Sequence, residues 1–119
     1  MAVPTQPISF VNKWGTAIRE PSTIQVASRT TAVGFTLTSD EAQYQLVNST
    51  AAGAAITIVL PNAVASKGMT FCFREVSGTG GNTLVLDSGG TIATCDPGKV
   101  AMVICDPDTA AWVSLFVQA

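Results

Sequence analysis

From residue 55 onward apolar and polar positions alternate in short runs, separated by clusters of glycine, proline, asparagine and aspartate. A period of two places successive side chains on opposite faces of a strand. The run 55–61 stops at Pro61, which has no amide hydrogen to give to a sheet ladder. In 69–76 the alternation sets Met69, Phe71, Phe73 and Glu75 on one face and Thr70, Cys72, Arg74 and Val76 on the other. Further strands are predicted over 82–87, 91–95, 99–105 and 111–117, all rich in β-branched or aromatic residues. Upstream, Val33, Phe35 and Leu37 alternate with Gly34, Thr36 and Thr38, and a short run follows at 44–47. No window keeps a helical period as well as it keeps alternation.

The breaks between runs carry turn chemistry. Residues 62–68 make a turn ending in Lys67-Gly68, and the glycine-rich 77–82 segment reads as a flexible hairpin tip. Tight turns are expected at 87–90, 96–98 and 106–108. With turns every 8 to 12 residues the predicted fold is all-β, an antiparallel β-sandwich or jelly roll spanning residues 34–119. Residues 1–33 differ: Pro4, Pro7 and Pro21 favour an extended arm. That arm carries Ile8, Phe10, Val11, Trp14, Ile18, Ile24 and Val26, too many apolar side chains for a solvated tail, and the first five of them are the ones that must find cover on a partner. They are the candidate partner-contact residues, with docking back onto the arm's own domain as the alternative.

Composition sharpens this picture. The 119 residues suffice for one domain, 47% are hydrophobic and only 12% are charged, about half the usual share. Every apolar run is too short for a membrane-spanning helix, so the excess points to a homo-oligomer that covers apolar surface with identical neighbours. A net charge of −2 without a basic cluster argues against nucleic acid as a partner. The first residues show no secretory signal, which implies synthesis in a reducing cytoplasm and makes the Asn48-Ser49-Thr50 triplet a chance match to a glycosylation acceptor. Cys72, Cys95 and Cys105 match neither a disulfide framework nor a metal pattern and read as buried free thiols.

Candidate chemistry is sparse. With no histidine in the chain, the commonest general base and zinc ligand is missing, and neither Gly-x-Ser-x-Gly nor Ser-x-x-Lys occurs. Glu75 and Asp87 would be the carboxylate pair of a glycosidase, but nothing in the pattern sets them in one cleft. Asp87, Asp96, Asp106 and Asp108 all fall at turns, where aspartate bonds its own backbone; calcium is the other reading, without an EF-hand spacing to support it. The chain is therefore expected not to be an enzyme, with no catalytic residue, metal or cofactor assigned. A sugar-binding sandwich would need exposed aromatics, and Phe71, Phe73 and Trp112 fall at core positions, leaving Trp14 as the exposed candidate.

One resemblance adds to this reading. Ile-Thr-Ile-Val-Leu-Pro at 56–61, Gly-Met-Thr-Phe-Cys-Phe-Arg-Glu-Val at 68–76, Gly-Asn-Thr-Leu-Val-Leu at 81–86, Gly-Thr-Ile at 90–92 and Asp106 ahead of Trp112 together resemble a β module of tailed-bacteriophage structural proteins. The resemblance covers about the C-terminal half. It departs at 106–111, where Asp-Pro-Asp-Thr-Ala-Ala replaces the usual Asp-Gly turn, and in the long arm. In that family the module tips fibres and spikes or stands alone as a capsid decoration protein, usually trimeric. The resemblance implies a cement protein on the virion surface, made in the host cytoplasm, a homotrimer whose arm grips the major capsid protein. The alternative it implies is a receptor- or glycan-binding fibre tip, disfavoured here because the chain begins at Met1 without a shaft repeat.

Overall fold

The computed structural model describes residues 25–119. They form nine strands: β1 (Val26–Thr30), β2 (Phe35–Thr36), β3 (Tyr44–Asn48), β4 (Ile56–Val59), β5 (Thr70–Glu75), β6 (Leu84–Asp87), β7 (Thr91–Cys95), β8 (Val100–Asp106) and β9 (Ala111–Val117). A single 3₁₀ turn, Val64–Ser66, lies in the expected 62–68 connection, where the Asn62 side chain accepts the Ala65 amide at 3.2 Å. The fold is all-β, as the alternation predicts. Residues 26–30, assigned on proline content to the arm, are a strand of the main sheet.

The strands make a five-stranded sheet in the order β1-β3-β5-β8-β9 and a four-stranded sheet in the order β2-β4-β6-β7. Both are mixed, so the purely antiparallel arrangement expected from turn spacing does not describe them. From β1 to β6 the chain alternates between the sheets at every connection. Each sheet therefore receives strands running the same way: β1, β3 and β5 pair in parallel on one side, β2, β4 and β6 on the other. A parallel pair needs a crossover, and here the crossover is a strand of the opposite sheet rather than a helix. Only from β6 onward does the chain fold back on itself, in the antiparallel pairs β6/β7, β5/β8 and β8/β9.

Register explains the core. Ile56 pairs with Leu84 and Leu84 with Cys95, Ile58 with Leu86 and Leu86 with Ala93; all six are buried on one face of the smaller sheet. Facing them are Val47, Phe71, Phe73, Ala101, Val103 and Cys105 of the larger sheet. Phe71 stands between Phe73 and Trp112, with ring centroids 6.1 and 5.8 Å away. The Trp112 indole N–H donates to the Pro61 carbonyl at 2.8 Å, so the proline that ends β4 also receives the tryptophan of β9. Gly34 is where backbones come closest: a Cβ there would lie 2.3 Å from the Thr57 carbonyl oxygen.

The β8–β9 turn contains a strained residue. Ala110 sits at φ 55°, its amide donating to the Asp106 carbonyl at 2.8 Å. The left-handed region costs a residue with a Cβ roughly 1–2 kcal/mol, while glycine adds about 0.4–1 kcal/mol of unfolded-state entropy. Ala110→Gly is therefore expected to stabilise by up to about 1 kcal/mol, a rise of several degrees in Tm read by thermal denaturation. An unchanged or lower Tm would show that the turn holds Ala110 without strain.

Candidate functional site

Two features of the described residues stand out from ordinary packing. The first is Glu75, the last residue of β5. Alternation puts it on the core face after Phe71 and Phe73, and it is fully buried there. A lone carboxylate in such a place would be strongly unfavourable. This one is surrounded by donors. The Ser49 amide reaches it at 3.0 Å and the Ser49 hydroxyl at 2.5 Å; the Ser77 hydroxyl and amide reach it at 2.6 and 2.9 Å. The Gly78 and Gly98 amides complete the set, each at 3.2 Å.

These donors come from three connections: the loop after β3, the loop after β5 and the turn between β7 and β8. Asn82 extends the network, its amide donating to Ser49 Oγ at 2.7 Å and its side-chain nitrogen to the carbonyls of Ser49 and Ala52 at 2.9 and 3.0 Å. Gly81 has to lack a side chain, because a Cβ would fall 2.7 Å from Glu75 Oε1. The 77–82 segment, expected to be a flexible hairpin tip, is thus tied at one end of the molecule. It is not a hairpin either, since β5 and β6 belong to different sheets.

The node holds charge rather than moving protons. Burial pushes the Glu75 carboxyl up, but the hydrogen bonds from Ser49, Ser77 and Gly98 outweigh it and leave the group below the ordinary glutamate range. A carboxylate so stabilised is a weak base, and Ser49 beside it is fully buried. The Glu75 and Asp87 pairing considered from sequence is not formed around this node: Asp87 ends β6 in the other sheet and its carbonyl accepts the Leu60 amide at 2.8 Å.

The acidic turns behave as aspartate turns do. Asp106 Oδ1 accepts the Asp108 amide at 2.9 Å, and the Asp96 carbonyl accepts the Lys99 amide at 3.0 Å. Among the described residues no three histidine, cysteine, aspartate or glutamate side chains gather as metal ligands. The cysteines are free thiols, Cys95 and Cys105 in the core and Cys72 half-buried on the outer face of β5. Burial pushes all three thiols up, Cys95 to about 11. No helix of the described residues is long and apolar enough to cross a membrane.

The second feature is the outer face of the five-stranded sheet around β8 and β9. Register sets Met102 beside Phe116 and Ile104 beside Val113, on the side away from buried Val103 and Cys105. The Met102 row continues through Cys72 and Tyr44 on neighbouring strands, and the Ile104 row meets Thr70. On this face Val113 and Phe116 are 41 and 51% exposed; Leu115 stands at the irregularity between them, and Val117 is paired with core-facing Ala101. The charged residues at the ends of this face are Arg74, opposite Val100, and Asp106, opposite Ala111. β9 is an edge strand, with one side paired to β8 and no neighbour on the other among the described residues.

Ile8, Phe10, Val11, Trp14 and Ile18, the contact residues expected from sequence, lie outside the described residues. Sequence reasoning passed over the β8–β9 face, although a signal was present: apolar residues run unbroken from 100 to 105, where a half-exposed strand would alternate. No comparable signal marked Ser49 as the partner of Glu75. No family model, curated protein or solved structure matches the chain.

The Glu75 node predicts a specific acid response. The unfolded chain titrates near 4.3 and the folded carboxyl lower, so its stabilising contribution is complete above about pH 4.3 and is lost as pH falls through the folded-state value. Glu75→Gln, which turns a donor toward donors, should cost about 2–4 kcal/mol at pH 7 and flatten the acid limb of stability against pH. Urea melts from pH 2 to 7 read both effects. A variant as stable as the parent, with the same acid limb, would show that Glu75 is not the tie described.

Proposed function

We propose that this chain is a capsid decoration protein that binds the outside of a tailed-phage head as a homotrimer and stabilises the shell. The observation that carries the reading is the β8–β9 face, a broad apolar and almost uncharged sheet surface on a small all-β module. Such a surface serves packing against protein, since it offers neither the charge that nucleic acid requires nor grouped donors for a small polar substrate. The Glu75 node supports the same reading, because its carboxylate is spent on tying loops together. The protein's role is thus to be placed and held, with no catalytic residue or cofactor.

The arm with Ile8, Phe10, Val11, Trp14 and Ile18 is assigned to the major capsid protein, and the β module to stability. A glycan-binding fibre tip fits less well. Sugar platforms need exposed aromatic faces ringed by polar donors, whereas Phe71, Phe73 and Trp112 are in the core, Phe35 lies under the Arg29 guanidinium at 3.7 Å, and the exposed Phe116 stands among apolar neighbours.

Deleting residues 2–18 tests the assignment. The truncated protein should melt within about 2–4 °C of the parent, the shift for a loss near 1 kcal/mol in an assembly of this size. Its loading onto purified particles should weaken by about thirtyfold or more, the scale of losing a buried aromatic anchor such as Trp14. Full loading by a truncated protein that melts much earlier would make the arm part of the fold and move attachment to residues 77–81 or 106–110. Binding to no particle, by either form, would remove the capsid reading.

A further inference from the structure

We infer that the outer face of β8 and β9 is the surface on which copies of this chain meet. This rests on the homotrimer part of the proposed function and not on its capsid part. Three independent observations lead to it. The first is sequence pattern on a known geometry: β4 reads Ile-Thr-Ile-Val and buries only its alternate residues Ile56 and Ile58, as a strand wetted on one side does. β8 reads Val-Ala-Met-Val-Ile-Cys before its final aspartate, the composition of a strand covered on both faces. Yet Met102 and Ile104 are only half-buried within one copy.

The second is the edge. A free edge strand is ordinarily protected by lysine, proline or brevity. β9 has seven residues, contains no charge and no proline, and exposes Val113, Leu115, Phe116 and Val117. The third is self-complementarity. Between Arg74 at one end and Asp106 at the other the face carries no charged residue, only the row of Tyr44, Cys72, Met102 and Phe116 and the row of Thr70, Ile104 and Val113, so it suits an equally uncharged copy of itself. A charged partner would leave the middle of this face unmatched. The outer face of the whole five-stranded sheet, with strands about 4.8 Å apart and three rows about 7 Å apart, is roughly 500 Å² in projection, and β8 and β9 are its apolar side. Protruding side chains bring that toward the about 800 Å² per partner of a stable contact.

Sedimentation velocity of the full chain and of its Phe116→Glu and Val113→Lys variants tests this, with circular dichroism to check that each variant keeps its sheet. Alkylation of Cys72 is the second measurement. That thiol lies on the same face, in register with Met102, while buried Cys95 and Cys105 serve as internal controls. The parent should sediment as an oligomer, the variants as 12.3 kDa monomers with association weakened about thirtyfold or more. Cys72 of the parent should react faster on dilution while the controls do not. Folded variants that stay oligomeric would overturn this face and leave the homotrimer standing. A parent that is monomeric at all concentrations would overturn both, and a Cys72 rate independent of concentration would overturn this face alone. If the variants do not fold, the Cys72 dilution series decides alone. Particle loading, measured separately, bears on the capsid reading without touching this one.

Discussion

The buried carboxylate of Glu75 is the interaction on which this end of the molecule depends. An ionised group in a hydrocarbon core is strongly unfavourable unless its lone pairs are filled, and filling them draws in Ser49, Ser77, Gly78 and Gly98 from three separate connections. Asn82 adds bonds between the loops after β3 and β5, and Glu75 is the group that reaches all three connections. The loop at 77–82 contains three glycines and no large apolar residue, so its conformation comes from hydrogen bonds rather than from packing. Without the carboxylate, the same backbone amides would face the core unpaired.

The node matters because of how the chain winds. A sandwich of hairpins closes each connection locally, whereas β1 to β6 pass between sheets at every step and leave long loops at the ends. Parallel neighbours share no turn, so their register is set by the core side chains and by whatever ties their loops. At the other end Trp112 does a comparable job, joining β9 to the chain just past β4 through the Pro61 carbonyl. Two polar contacts thus bracket an apolar interior. Among the described residues nothing covers the outside of the larger sheet at β8 and β9, and it is in β8 that apolar residues run without alternation.

Strand identity was legible in the sequence to a large degree. Thr91–Cys95 and Ala111–Val117 coincide with the runs that alternation marks, and Glu75 was already on the core face beside Phe71 and Phe73. Sheet order was not legible, because short runs and short turns look the same whether a chain returns beside its last strand or crosses to the other sheet. β1 was missed since Val-Ala-Ser-Arg-Thr is weakly apolar and follows a proline-marked stretch; it is a strand because β3 pairs with it. The partners of Glu75 were hidden for another reason. Ser49 and Ser77 are 26 and 2 residues away from it, ordinary serines in ordinary loops, and only the crossing of the chain brings them together. The β8–β9 face, in contrast, was written in residues 100–105, but a run without alternation is easily read as core alone.

The tie at Glu75 is open to direct observation by NMR. In a chain carrying carbon-13 glutamate, the side-chain carboxyl of Glu75 should stay ionised to a pH below the ordinary glutamate range. The amides of Ser49, Ser77, Gly78 and Gly98 should exchange slowly with solvent and shift together as that carboxyl finally takes up its proton. A Glu75 carboxyl titrating at the value of a solvated glutamate, with those four amides exchanging as freely as exposed loop amides, would contradict the account.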